Sequence, residues 1–231
     1  MPSIRLVLDE IFHRLFDHFG PQHWWPGRTR FEIIVGAILT QNTNWGNVER
    51  AIANLRRAGV LNPSGLARLT RPRLARLIQP SGYYNIKADR LKHFVKFLMR
   101  EYDGRLAKMS LEPWPVLRSR LLNVNGIGPE TADSILLYAF NKPVFVIDAY
   151  TFRIMSRHKI FKGPVDYAAL QNLFMSHLKS DCRLYNEYHA LLVRVGKEFC
   201  RPRPRCHACP LKEMLPRDFT TVRGFDIMEG R

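Results

Sequence analysis

The feature that most restricts this chain is a recurrence of apolar side chains every three or four residues, along nearly its whole length. Ile4, Leu8, Ile11, Phe12, Leu15, Phe16 and Phe19 form one stripe on a predicted helix, which Gly20-Pro21 ends. Similar stripes occur at Leu91, Phe94, Val95, Leu98 and Met99, and at Tyr188, Leu191, Leu192 and Val195. Asn62-Pro63-Ser64, Arg71-Pro72, Pro80-Ser81-Gly82, Gly163-Pro164 and the stretch from Arg201 to Pro204 punctuate the pattern. The period predicts about ten to twelve short helices and no hairpin of strands. Val144 to Ile147 is the best strand candidate, but four apolar residues read equally well as a buried extended link or a helix start. The expected fold class is all-α.

Charge narrows the function. The 231 residues hold 36 Lys and Arg against 20 Asp and Glu, a formal charge of +16. That excess is spread along the chain rather than confined to a tail, which favours a surface for a polyanion over a merely soluble one. No apolar run approaches the roughly 18 to 20 residues that cross a bilayer, and the first residues lack an uninterrupted apolar core, so no membrane segment or signal peptide is expected. The expected setting is soluble and cytoplasmic, beside the nucleoid if the source is bacterial. Three of the four cysteines crowd into Cys200, Cys206 and Cys209, which in a reducing compartment points to a metal rather than to disulfides. Residues 217–231 show no clear period and are expected to be a tail.

The most informative segment runs from Leu121 to Ala132, where an apolar helix end leads into Gly126-Ile127-Gly128 and Pro129 stands where a new helix can start. Two glycines allow a tight turn and a close approach to a ligand, and N–H groups at a helix start can hold a phosphate. Alone, Gly-x-Gly reads better as a tight turn between packed helices. Twenty residues past Gly128 lies Asp148, after the apolar run Val144 to Ile147. By itself it reads as an N-cap. Together with the glycine turn, it resembles the helix-hairpin-helix, Gly/Pro and Asp signature of the endonuclease III superfamily of DNA glycosylases.

The resemblance extends from about Trp24 to Cys209. Phe31 to Thr43 is similar to the family's helix whose Gln, here Gln41, enters the DNA stack, and the segment from Gly82 to Ala88 adds Lys87 as an expected DNA contact. Where bifunctional members carry a Schiff-base lysine, two residues after the second hairpin glycine, this chain has Glu130. Without that amine the covalent β-lyase route lacks its nucleophile. The resemblance therefore implies a monofunctional, hydrolytic enzyme without AP lyase activity. Trp24-Trp25-Pro26, the stretch from Leu39 to Trp45, and Glu130 itself resemble the 3-methyladenine DNA glycosylase branch. Aromatic residues at the positions of Trp25 and Trp45 line the base pocket there; Trp24 reads equally as pocket or core. A methylated purine is cationic and electron-poor, so an indole face attracts it by roughly 0.5 to 2 kcal/mol per contact.

The implied mechanism flips the target nucleotide out of double-stranded DNA while Gln41 fills the gap. Gly126 and Gly128 hold a neighbouring phosphate, and Asp148 stabilises the positive charge that grows on the sugar. Glu130 is the other candidate catalytic group; it reads also as a solvent-facing acid in a helix first turn. The resemblance implies two helical lobes: residues 28–141, six helices with the hairpin, and residues 1–27 plus 142–216 with the cysteine loop, Asp148 facing the groove between them. A monomer acting on a damaged base in DNA is expected. Cys200, Cys206 and Cys209 resemble the family's [4Fe–4S] loop, but Leu215 stands where a fourth Cys is expected. A cluster with another fourth ligand, a zinc site using His207 or another His, and a loop without metal all remain open. The alternatives in function are a glycosylase for damaged pyrimidines or mismatches, and a non-catalytic helix-hairpin-helix module.

Overall fold

The computed structural model describes residues 3–216, and the expected tail at 217–231 lies outside the described residues. The described chain is all-α, with no strand, and divides into two compact units: Trp25–Lys142, and the segments on either side of it, through Trp24 and from Pro143.

The flanking unit begins with α1, Ile4–Phe19, capped by the Ser3 side chain, with Gly20 at φ +66° closing its end as the glycine predicts. Leu8, Ile11 and Leu15 of the predicted stripe are buried. The Trp25–Lys142 unit then follows with α2 (Arg30–Leu39), α3 (Trp45–Arg57), α4 (Pro63–Arg68), α5 (Arg71–Leu77), α6 (Tyr84–Tyr102), α7 (Leu106–Ser110), α8 (Trp114–Leu122) and α9 (Pro129–Ser134). It holds eight α-helices rather than six, because helices of five to seven residues fill connections between the longer ones. Its core is α2, whose Ile34, Val35, Ile38 and Leu39 are wholly buried, packed against α6 and against Ile135–Ala139, a wide π-type turn that continues α9. Each such aliphatic side chain contributes about 1.5–3 kcal/mol on leaving water.

Back in the flanking unit, Val144 to Ile147 is a buried extended link without a strand partner among the described residues, one of the three readings its sequence allows. It leads into α10 (Ala149–Arg157), α11 (Tyr167–His177) and α12 (Cys182–Glu198). α12 buries Tyr185, Tyr188, Leu191, Leu192 and Val195. The Tyr188 hydroxyl donates to the Leu8 carbonyl at 2.8 Å, and the Phe145 and Phe174 rings stack at 4.1 Å.

Candidate active site and nucleic-acid interface

The hairpin forms as its residues predict. α8 ends at Leu122, and α9 starts at Pro129, whose missing N–H costs nothing at that position. Between them Gly126 adopts φ +89°, a left-handed conformation that side-chain-bearing residues avoid. A Cβ there would also lie 2.2 Å from Cγ of Arg90. Gly128 differs: its backbone is extended at φ −89°, ψ 179°, and nothing comes within 4 Å of an added Cβ. The fold needs Gly126 for its own geometry, whereas the bare face of Gly128 opens outward. A two-pronged ion pair braces the turn from behind, with Arg118 Nε 2.6 Å from Asp133 Oδ1 and Nη2 3.0 Å from Oδ2. Asp133 is wholly buried.

Gln41 lies on this hairpin. Its Nε2 donates to the Gly126 carbonyl at 3.1 Å and to the Thr131 hydroxyl at 2.8 Å, while Arg90 donates to its Oε1. Both ends of the amide are therefore held, in the same unit as the glycine turn. Arg90 and Thr131 were not foreseen from the sequence; Arg90 lies one helical turn beyond Lys87, among many similar arginines. A concavity of about 320 Å³ beside the hairpin approach is lined by His93, Lys96, Arg100, Glu101, Arg120 and Asn125, with Glu101 paired to both arginines.

Lys87 corrects the sequence reading. It is 1% exposed, and its ammonium donates to the Leu39 carbonyl at 2.9 Å and the Ser81 carbonyl at 2.6 Å. Burial and the nearby Arg90 push its pKa down to about 8. It cannot reach DNA from there. Instead it ties the end of α2, just before Gln41, to the turn at Ser81.

The aromatic candidates separate. Trp25, Trp45 and Tyr138 meet in the Trp25–Lys142 unit: Trp25 stands edge-on to Trp45 at 5.2 Å between centroids and tilted to Tyr138 at 5.0 Å. Gly36 makes room for this, since a Cβ there would lie 3.3 Å from the Trp25 indole nitrogen. Trp45 is placed at the start of α3 by its Asn44 cap. Tyr138 was missed because it sits in the π-type turn, where the helical period that locates inward positions breaks. Trp24 belongs to the flanking unit, with the Lys197 ammonium 5.8 Å over its ring.

Asp148 is the N-cap of α10 and more. Its Oδ1 accepts from the Thr151 backbone N–H at 2.7 Å and the Thr151 hydroxyl at 2.8 Å. Its Oδ2 lies 3.7 Å from Nε2 of the buried His189. Burial lowers the His189 pKa, with Asp148 acting against the shift. Lys197, also on α12, has its pKa lowered by desolvation and by Arg194, with Asp148 opposing. Neither residue was foreseen, because both lie about 40 to 50 positions beyond Asp148 and meet it only through packing. Glu130 is exposed in the first turn of α9.

The cysteine loop does not fit a four-thiolate cluster. Among the described residues no group of three or more His, Cys, Asp or Glu side chains is placed to hold a metal ion. Cys200, Cys206 and Cys209 instead border a small space shared with Ile154, Val195 and Leu215. Burial pushes the Cys209 thiol up to about 11. Arginines hold the loop: Arg153 donates to the Cys200 carbonyl at 2.6 Å, and Arg157 to the Arg201 and Pro202 carbonyls at 2.6 and 3.1 Å. Cys182 sits at the far end of α12 from Cys200, a helix of 17 residues away.

A helix-hairpin-helix turn, a glutamine held on it and a capping aspartate after a buried link define the class, a DNA glycosylase fold. Residues 35–179 match the model of the HhH-GPD superfamily base excision DNA repair proteins, and the chain belongs to that family. It is a DNA glycosylase of that superfamily, in base excision repair. A Methanocaldococcus jannaschii protein provisionally named a DNA repair glycosylase is 45% identical, over 90% of this chain and 94% of its own. Endonuclease III of Thermotoga maritima is 30% identical, over 89% and 91% respectively. Among solved structures, the H. pylori 3-methyladenine DNA glycosylase bound to 1,N6-ethenoadenine aligns with a TM-score of 0.73 and 28% identity, covering 85% of this chain and 98% of that one. A non-covalent endonuclease III–DNA complex aligns with a TM-score of 0.78 at 18% identity, over 93% and 96%, a likeness of fold.

Proposed function

We propose that this chain releases alkylated purines of the 3-methyladenine class from double-stranded DNA by hydrolysis of the N-glycosidic bond, as a monomer. The observation that carries the reading is the aromatic group of Trp25, Trp45 and Tyr138, seated on α2 by Gly36. Such a group offers π faces to an electron-poor, cationic base and few polar groups to read a pyrimidine edge. The 28% identity to the H. pylori enzyme across nearly all of that enzyme supports the same substrate class.

In the proposed reaction the hairpin at Gly126 and Gly128 holds the strand by a phosphate, and Gln41 enters the stack where the nucleotide has left. The bond from C1′ to the base breaks with its electron pair going to the base, which the alkyl group's positive charge already makes a good leaving group. Asp148 Oδ2 stabilises the charge that develops on the sugar and directs the water that adds to C1′. Oδ1 stays committed to Thr151, which fixes the carboxylate's direction. Glu130, exposed in the first turn of α9, serves the helix dipole rather than the chemistry. Base release itself needs no covalent enzyme intermediate and no metal-bound step.

The test is base release from methylated duplex DNA, with products separated by chromatography and Asp148→Asn run alongside. Free 3-methyladenine from the wild type, and not from the variant, is the expected result. Release of an oxidised pyrimidine or a mismatched thymine instead would replace the substrate assignment with the endonuclease III-like one. DNA binding without release of any base would leave only a recognition module.

A further inference from the structure

We infer that Arg90 is a positioning residue for Gln41. Its guanidinium holds the glutamine amide in one orientation on the hairpin, so that Gln41 meets the DNA stack as a preset wedge and not as a free side chain. The inference rests on the proposed entry of Gln41 into the stack, and it gives a task to an arginine of α6 that the proposed reaction leaves without one.

Every contact involved lies within the Trp25–Lys142 unit. Arg90 Nη1 donates to Gln41 Oε1, while Gln41 Nε2 donates to the Gly126 carbonyl at 3.1 Å and to the Thr131 hydroxyl at 2.8 Å. A guanidinium only donates and a carbonyl only accepts, so the two ends of the amide cannot change places. Both amide N–H groups are thereby engaged, and what Gln41 still offers a base edge is a lone pair on Oε1. The stem of Arg90 is fixed as well. A Cβ on Gly126 would stand 2.2, 2.9 and 3.1 Å from Cγ, Cδ and Nε, so three successive atoms of the arginine rest on the bare glycine. An arginine that served only to attract phosphate would need neither its stem against a glycine nor its guanidinium on a neutral amide.

α6 supplies the frame. Lys87, Arg90 and His93 follow one another at three-residue steps, which makes them neighbours along one side of the helix. Lys87 holds the Leu39 and Ser81 carbonyls, Arg90 holds Gln41, and His93 Nδ1 stands 3.2 Å from the Asn125 carbonyl. One rigid helix thus ties the segment that follows α2 to the hairpin, and Arg90 is the member that touches both the Gln41 side chain and Gly126. The energetic consequence concerns freedom. A glutamine side chain is among those that lose most rotamer freedom on being ordered, and here that loss is already met before DNA arrives. Removing the hold returns the loss to the step in which the wedge enters the stack, which should slow that step by about tenfold.

The experiment uses the full chain and a duplex carrying an abasic-site analogue with 2-aminopurine opposite the gap, whose fluorescence changes when a side chain fills the stack. Stopped-flow traces at saturating protein follow that filling without requiring base release. Arg90→Met removes the guanidinium and keeps the stem, and Thr131→Val removes the hold on Nε2 without altering charge. Each should slow the change about tenfold, and Arg90→Met should add nothing in a Gln41→Ala background, since the two residues then share one effect. If Arg90→Met perturbs folding, as thermal unfolding would reveal, Thr131→Val carries the same test. The inference is overturned if both variants match the wild type, if Arg90→Met speeds the change, or if it slows the change equally in the Gln41→Ala background. A wild-type signal that survives intact in Gln41→Ala refutes the entry of Gln41, and the role of Arg90 with it. Release of 3-methyladenine is scored separately on methylated duplex DNA. A filling step that depends on Arg90, without release, supports the inference and refutes the alkylpurine assignment; release with filling indifferent to Arg90 and Thr131 refutes the inference alone.

Discussion

Replacing each hairpin glycine with alanine should separate what the fold needs from what DNA needs. At Gly126, φ +89° imposes on a side-chain-bearing residue a left-handed strain of about 1–2 kcal/mol. The new methyl would also stand 2.2 Å from Cγ and 2.9 Å from Cδ of Arg90, so the arginine must swing aside and surrender its bond to Gln41. At Gly128 the backbone already suits alanine and the space is empty, so the loss of unfolded-chain freedom should stabilise the protein by about 0.4–1 kcal/mol. For a chain of this size 1 kcal/mol moves Tm by about 2–4 °C. Gly126→Ala should therefore lower Tm by at least about 2 °C, and Gly128→Ala should raise it by a degree or more. Binding to a duplex with an abasic-site analogue, followed by fluorescence anisotropy at two salt concentrations, should move differently. Gly128→Ala should weaken it about tenfold, a loss of about 1.4 kcal/mol, because its methyl occupies the surface that a sugar-phosphate strand must approach. A Gly128→Ala protein that is less stable, or that binds DNA as tightly as the wild type, would refute the reasoning.

Other outcomes follow from the same geometry. Asp148→Asn should keep the α10 cap, since asparagine caps as well as aspartate, with unfolding changed by less than about 0.5 kcal/mol, yet base release should fall at least about a hundredfold in single-turnover assays. Lys87 is buried with a pKa near 8, so between that pH and about 10.5 the unfolded chain holds a proton that the folded one does not. Stability should rise with pH through that window, by at most about 3 kcal/mol relative to Lys87→Met, in urea titrations at matched pH; a flat difference would contradict it. Asp133→Ala leaves the Arg118 guanidinium without its wholly buried partner. It should cost about 2–4 kcal/mol by denaturant unfolding, somewhat under the usual loss for a fully buried pair because Arg118 retains some access to water.

Much of this architecture could be read from the residues, and the exceptions have physical causes. The stripes of α1, α6 and α12 announce their buried faces, and Gly20, Pro129 and Asp148 stand at the helix ends that their chemistry dictates. Lys87 was misjudged by its charge although its phase was legible. Together with Leu91, Phe94, Val95 and Leu98 it falls on the inner stripe of α6. A lysine there survives only because the carbonyls of Leu39 and Ser81 receive its ammonium, and those carbonyls are brought near by helix packing that no local pattern encodes. Tyr138 was hidden by the π-type turn, which rotates inward positions out of the 3.6-residue period. His189 lies on α12 among residues whose stripe looks like ordinary core, and only the packing of α10 against α12 brings its Nε2 to 3.7 Å from the Asp148 carboxylate.

Asp148 shows why the plain and the functional reading of one residue need not compete. A capping carboxylate uses one oxygen to satisfy the first-turn donors, here the Thr151 N–H and hydroxyl, and those two bonds fix its side-chain rotation. The second oxygen is then aimed by the backbone itself, at no further cost in side-chain freedom. A carboxylate held only by solvent would have to lose that freedom each time a sugar arrived. Burial disfavours the charged form of His189, whose Nε2 stands 3.7 Å from that second oxygen, and the Asp148 charge opposes the shift in both His189 and Lys197. The apolar link Val144 to Ile147 does the remaining work by anchoring the start of α10 in the core, so that a cap common to many helices becomes a rigid reactive group. Substitutions that loosen this link, such as Phe145→Ala beneath the Phe174 stack, should therefore reduce base release more than they reduce DNA affinity, although they touch no atom of the substrate.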